Sequence, residues 1–403
     1  MHSNSVLKEV NMDIIGIHYE SGIPVRIQAQ NGIIVKISEL RGKNPVIPDL
    51  YLAPGLIDNQ VNGYSGIDFG SRSLDQEKIR EASEAILKDG VTSFLPTLVT
   101  DAHENLLRSF SILSAALTDP LISLLIPGFH LEGPYLSKET GFFGCHPAEH
   151  LRNPSFKEFE EYLDAAGGRI VEITVAPELD GAMEFIGRCT ENHVVVAIGH
   201  TNASSSQIEK AVSLGARIST HLGNGCANMI HRHQNPLWPQ LSNDRLTPSI
   251  IADGHHLLPE EIKVFYIVKG PENIILTSDV TYLIGMPPGY YEYMGSRILK
   301  TEDGLIRNPE LNCLAGASMP LKKGVENILE ITGCSLSEAI NMASKNVARV
   351  LNLNDRGRLE PGKRADIILL KLTGNKIKIK ETYLGGSLAY SDTKQNHLRN
   401  GIN

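Results

Sequence analysis

The chain has 403 residues, 41% of them hydrophobic and 21% charged, with a formal net charge of −8. Enough apolar material is present for a large core, which excludes disorder as the main state. The acidic balance argues against nucleic acid as the principal partner, and no apolar run approaches the ~20 residues of a membrane-spanning helix.

The opening Met1-His2-Ser3-Asn4-Ser5 lacks the basic and apolar regions of a signal peptide. Short strands follow. The runs 25–30 and 33–37 flank Asn31-Gly32, a strong hairpin signal. From Pro54-Gly55 onward the pattern changes, and apolar runs alternate with helical segments. The runs 55–58, 91–98, 121–131, 170–176, 193–198, 217–222, 249–252 and 274–278 read as eight strands. Helices are expected between most of them. The segment 76–88 places Ile79, Ala82 and Ile86 on one face. Asp101 and Glu104 form an Asp-x-x-Glu variant of the capping box before Leu106, Leu107, Phe110 and Leu113. Further helices are expected at 156–166, 182–192, 205–214 and 260–269.

Eight strands alternating with helices is the pattern of a (β/α)8 TIM barrel, an α/β fold, with a doubly wound open sheet as its rival. The tail returns to β character at 365–370, 377–380 and 381–388. Two units are therefore expected: residues 53–354 as the barrel, and 1–52 plus 355–403 as a small β-sandwich built from both termini. Five cysteines, Cys145, Cys189, Cys226, Cys313 and Cys334, are odd in number and contain no CxxC pair. That fits a reducing cytoplasm better than a disulfide framework.

Barrel active sites form at the carboxyl ends of the strands. Polar residues gather there: Asp58 to Gly63 after strand one, His130-Leu131-Glu132-Gly133-Pro134 after strand three, and Gly199-His200-Thr201-Asn202 after strand five. Strand six ends in Thr220-His221-Leu222, strand seven in Asp253-Gly254-His255-His256 and strand eight in Ser278-Asp279. A carboxylate, several imidazoles and one further aspartate suit a divalent metal and a water. Such a metal brings the pKa of its water towards ~7, and Asp279 could then move the proton. One histidine at a strand end is more often a structural, hydrogen-bonded residue; three at the same end reverse that balance. Glu132 alone could be a loop cap, Asp279 a helix cap, and Gln60 and Asn62 turn residues. His103, His150, His193 and His233 read as surface or loop residues. The cysteines read as core thiols, except Cys145, which lies in a glycine-rich loop beside the expected site.

These motifs resemble the N-acetylglucosamine-6-phosphate deacetylases of the amidohydrolase superfamily. The matching stretches include Pro54 to Gly63, Phe129 to Pro134, Gly199 to Ala203, Thr220-His221-Leu222, Ile251 to His256, Thr277-Ser278-Asp279 and Leu314-Ala315-Gly316-Ala317-Ser318. The closing Gly357-Arg358-Leu359, Pro361-Gly362-Lys363 and Ala365-Asp366 resemble the wider superfamily. The resemblance implies Glu132, His200 and His221 as ligands of one divalent ion, zinc or else iron, manganese or cobalt, with Asp279 as the catalytic acid/base. Gln60 and Asn62 occupy the place of the His-x-His that holds a second metal in many relatives. Substrate contacts are implied for Cys145, His146, Asn224, Gly225, Arg232, His256, Leu314, Ala315 and Gly316. A small-molecule amino-sugar substrate and a homodimer are implied as partners.

The stretch from Asn224 to Pro236 departs from the family pattern, and His255 stands where an apolar residue is usual. Arg232 falls at the spacing of a phosphate-binding arginine but in unlike surroundings. Three readings stay open: deacetylation of N-acetylglucosamine 6-phosphate, the same chemistry on another N-acetyl amino sugar or an N-acyl amino acid, and a barrel that has lost catalysis and serves in binding or assembly.

Overall fold

The computed structural model describes residues 12–41 and 48–393. The chain start, where a signal peptide would stand, lies outside the described residues. Eight parallel strands follow one another in chain order: β1 (Leu56–Val61), β2 (Val91–Val99), β3 (Phe129–Glu132), β4 (Ile170–Val175), β5 (Val195–Ile198), β6 (Ile218–Ser219), β7 (Thr247–Ile250) and β8 (Ile275–Leu276). A parallel bridge between Val61 and Val280 joins the last strand's end to the first, so the sheet closes as a (β/α)8 barrel rather than opening as a doubly wound sheet. The strands read as near-continuous apolar runs because both faces are covered: every residue of β1, β3, β5 and β7 is buried.

Helices cover the outside. The helix Gln76–Ile86 begins at Asp75, whose side chain accepts the Lys78 N–H, and it buries the expected Ile79, Ala82 and Ile86. The helix Ser205–Ser213 carries a capping box between Ser204 and Gln207.

Two expectations within the barrel fail. The run 121–131 is not one strand. Asp119 caps a short helix, Pro120–Leu125, accepting the Leu121 and Ile122 N–H groups, and Pro120 sits at its first turn. Only Phe129–Glu132 enters the barrel. At 101–104 no capping box forms: Asp101 Oδ1 is taken by the Ala102 N–H and the Asn105 amide, and the helix His103–Ala116 starts from Ala102 without a side-chain cap.

Both ends of the chain meet in a seven-stranded sheet. Its order is Ser387–Ser391, Lys376–Leu384, Ile367–Thr373, Tyr51–Pro54, Met12–His18, Pro24–Gln30 and Ile33–Glu39. Asn31 and Gly32 both have positive φ, +50° and +79°, as a tight hairpin turn requires. The tail runs 377–380 and 381–388 are not separate strands. They belong to one long strand that turns at Gly385-Gly386 and returns as Ser387–Ser391.

A further antiparallel sheet was not expected from the sequence. It follows β8 and consists of Gly289–Tyr293, Ser296–Lys300, Ile306–Asn308 and Cys313–Leu314. Residues at both its ends, Tyr293 and Cys313, reach the barrel mouth.

Candidate active site

The barrel mouth opens into a cavity of about 430 Å³. Its inner wall is made by residues that leave the strand ends in unusual backbone conformations. His200, His221 and Asp279 have φ of +50°, +30° and +50°. That region is strained for residues with a Cβ, by about 1–3 kcal/mol each. The sharp turn is what brings side chains from β5, β6 and β8 to one point.

At that point Glu132 Oε1 lies 3.0 Å from His221 Nε2 and 3.5 Å from His200 Nε2. The two Nε2 atoms are 3.1 Å apart. All three residues are buried, and their ligand atoms lie within 4.8 Å of one another. His200 Nδ1 donates to the Phe142 carbonyl at 3.0 Å. A carbonyl only accepts, so Nδ1 carries a proton and Nε2 is the ring atom turned inward to the cluster. Two imidazoles and a carboxylate aimed at one place form a donor set that a divalent cation completes, and the residues fit such an ion. Burial raises Glu132, but His200 and His221 outweigh it and hold the carboxyl well below its usual range.

Asp279 stands beside this cluster. Gln60 Nε2 and Asn62 Nδ2 both donate to its Oδ1, at 2.9 and 2.7 Å. The two amides at the second-metal position therefore act on the aspartate, and their nitrogens have no lone pair to offer an ion. Among the described residues nothing donates to Oδ2. Burial and the charge of Glu132 push Asp279 up to about 7. A cation at the cluster would act in the opposite sense.

His146 packs edge-on against His200, with ring centroids 4.5 Å apart. Its Nδ1 meets Thr100 Oγ1 at 2.9 Å, and its Nε2 lies 3.8 Å from Glu132 Oε2. Burial and the neighbouring His200 push it down to about 3, so the ring is neutral. His256 is held by Asp253, whose Oδ2 is 2.8 Å from Nδ1. Burial works against the Asp253 charge, but His256 and two backbone N–H groups keep it below the usual range. Gly225 crosses directly over the cluster with φ +62°. A Cβ there would sit 3.0 Å from His221 Cε1 and 3.1 Å from His200 Nδ1, so any other residue would press on both ligand rings as well as strain the backbone. Asn224 lines the cavity with its Nδ2 buried and unpaired.

The cavity thus gathers Glu132, Cys145, His146, His200, His221, Asn224, Gly225, His256, Asp279, Leu314, Ala315, Gly316 and Asn62, with Gln60 behind Asp279. Arg232 is the expected substrate residue that it does not gather. Arg232 is exposed on the rim loop, and its carbonyl accepts the Trp238 indole N–H. Among the described residues no lysine or arginine lines the cavity. His103, His150, His193 and His233 lie outside it. His103 is tied to Tyr162 and Glu161 instead.

Other cavity residues escaped the sequence reading. Cys226 and Cys313, read as core thiols, line the wall. So does Tyr293, whose hydroxyl is buried and unpaired. Its only signal was position in an aromatic run, Tyr290-Tyr291-Glu292-Tyr293, which carries no chemical motif.

Residues 51–395 match the amidohydrolase family. The chain belongs to that family. This amidohydrolase is a hydrolase of amide C–N bonds. It is 30% identical to an N-acetylglucosamine-6-phosphate deacetylase from Bacillus subtilis, covering 84% of this chain and 87% of the relative. It is also 30% identical to an N-acetylgalactosamine-6-phosphate deacetylase from Escherichia coli O157:H7, covering 84% and 87%. A solved structure of a Mycobacterium smegmatis N-acetyl-D-glucosamine-6-phosphate deacetylase variant, in complex with N-acetyl-D-glucosamine-6-phosphate, superposes with a TM-score of 0.84. That match has 26% identity and covers 94% of this chain and all of the other. Among the described residues no helix is long and apolar enough to cross a membrane.

Proposed function

We propose that this amidohydrolase removes the acetyl group of N-acetylglucosamine 6-phosphate, giving glucosamine 6-phosphate and acetate. The observation that carries the reading is the buried Glu132–His200–His221 cluster beside an aspartate held on one oxygen only. The relatives' names supply the substrate.

One divalent ion, zinc on the chemistry of the donors and otherwise iron, manganese or cobalt, would be held by Glu132, His200 and His221. When bound it polarises a carbonyl and makes a water acidic. The chain's own residues do the rest. Gln60 and Asn62 fix Asp279 Oδ1 and leave Oδ2 to take the proton of the attacking water. The same oxygen then hands that proton to the amine as the C–N bond breaks. Neutral His146 and the unpaired Asn224 amide orient the acetylated sugar. Gly225 lets the backbone come close, while Cys145, Leu314, Ala315 and Gly316 add to the wall. His256, held by Asp253, faces the phosphate end. The same reading takes Arg232 as a phosphate contact, the protein as a cytoplasmic homodimer, and the chain as a catalytic barrel, 53–354, with a small β-sandwich from 1–52 plus 355–403.

The cationless cavity wall favours a second reading, in which the chemistry is the same and the sugar differs in epimer or lacks the phosphate. Acetate release by the metal-loaded protein separates the two. N-acetylglucosamine 6-phosphate should turn over fastest, ahead of its galacto epimer and of N-acetylglucosamine. Equal rates with and without phosphate would favour the second reading, and no acetate from any would overturn both.

A further inference from the structure

Two thiols from distant parts of the chain meet at the cavity wall. Cys145 Sγ and Cys313 Sγ are 2.8 Å apart, although 168 positions separate them in sequence. Cys145 lies between Gly144 and His146, in the loop that follows β3. Cys313 begins the short strand Cys313–Leu314, which leads through Ala315 and Gly316 towards Asp279. Both residues line the cavity. Cys145 Sγ also lies 3.1 Å from the Leu314 carbonyl oxygen, so the two segments already meet at this sulfur. Closing the remaining gap to a bond of about 2.05 Å takes less than about 1 Å of movement.

We infer that Cys145 and Cys313 are a redox-modification site, which a hydroperoxide converts into a disulfide that clamps the loop of His146 to the strand of Leu314. Every atom balances. With hydrogen peroxide, the Cys313 thiolate attacks one oxygen, the O–O bond breaks, and the departing hydroxide takes up the proton the thiol gave up, leaving a sulfenic acid and one water. Cys145 then attacks that sulfur, its proton joins the departing hydroxide, and a second water leaves. Two thiols are oxidised and one peroxide is reduced to two waters. The order of events follows from the pair itself: the hydrogen bond from Cys145 holds the Cys313 thiol below its usual range against the burial that raises it. The other thiols lack such a partner. Cys189 is buried in the core, and Cys226 reaches only the Gly223 carbonyl, at 3.8 Å.

The crosslink would hamper turnover because both walls that close on the sugar become one rigid piece. Ala317 donates its N–H to the Asp279 carbonyl at 2.9 Å, so strain on the 313–317 segment is passed to the aspartate. Displacing a catalytic group by about 1 Å can cost about a hundredfold in rate. The inhibitory part rests on the proposed deacetylase reading, whereas the crosslink does not.

The test treats the full-length, metal-loaded protein with hydrogen peroxide and reads two quantities. A non-reducing peptide map should show the Cys145 peptide joined to the Cys313 peptide, with a mass loss of about 2 Da. Acetate release should fall by more than about tenfold and return with dithiothreitol. Each variant is compared with itself before and after peroxide. C313S should form no crosslink and keep its starting rate after treatment, while C226S should remain peroxide-sensitive. Thiols that stay titratable with no joined peptide would overturn the proposal. So would a crosslink without loss of rate, or equal inactivation of C313S. If the reduced protein has no deacetylase activity at all, the peptide map still decides the crosslink.

Discussion

The inner and outer ends of the cavity are built by different means. At the inner end, Glu132, His200, His221 and Asp279 spring from barrel strand ends, and most of their inward contacts are to one another, to Phe142, Gln60 and Asn62, with Asp279 Oδ2 left free among the described residues. At the outer end, the loop 224–236 carries Met229 and Arg232 out into solvent. His256 is held there by Asp253, whereas the loop is tied mainly to itself, through Asn235 and His231. A rigid inner end specifies a reaction. A loosely held outer end can change its substrate without disturbing that reaction, as expected where loops of variable sequence sit on a fixed barrel.

The largest effect should come from the inner end. Glu132→Gln, or chelation of the loaded protein, should remove metal and turnover together, measured by elemental analysis and acetate release. Turnover that survives full metal loss would break the contrast at its strongest point. Asp279→Asn should lower kcat by about 10²–10⁴-fold while the metal content stays at the wild-type level. Asn62→Leu should cost less. It removes one charge-assisted hydrogen bond to Asp279, worth about 1.5–3 kcal/mol, or roughly ten- to a hundredfold in kcat. An unchanged kcat would mean that Gln60 alone holds the carboxylate.

At the outer end the readout changes from kcat to KM. His256→Ala should raise KM for N-acetylglucosamine 6-phosphate by about tenfold, the loss of one charge-assisted contact, and leave unphosphorylated N-acetylglucosamine alone. Equal effects on both sugars would place His256 with the reaction instead of the phosphate.

The smallest effect lies below the site. Glu172 is buried on β4, with the Asn59 amide 3.1 Å from both its oxygens, and burial pushes it up to about 8. A raised folded-state value means that its contribution is full below the ordinary carboxyl range. Stability is then lost as pH climbs towards and past about 8, because the unfolded chain gives up the proton first. Glu172→Gln should therefore raise Tm by several degrees at pH 9 and change little at pH 4. A Tm gain independent of pH would show that the folded and unfolded states bind this proton alike, and would overturn the raised value for Glu172.

Much of the inner end is legible in the sequence. Barrel strands are buried on both faces, so they show as apolar runs, and the strand ends then locate Glu132, His200, His221, His256 and Asp279. What escaped had a local cause. Asp119-Pro120 overrode an apolar run because capping and a pre-set proline φ start a helix. The four-stranded sheet over the mouth was missed because its strands are short, and so Tyr293 and Cys313 went unplaced.

The sequence by itself determined the barrel, its family and the ligand-type residues at its mouth, because periodicity and strand-end chemistry are local and repeat eight times. Only the tertiary structure decided what those residues do to one another. Gln60 and Asn62 read as turn residues or as the place of a second metal until the closing of β1 onto β8 set both amides on Asp279. Cys145 and Cys313 were unrelated thiols until two loops met across the cavity. Arg232 had the right spacing, yet the fold leaves it outside the wall. Contacts between residues far apart in the chain depend on how the elements pack, and spacing along the chain carries no record of that packing.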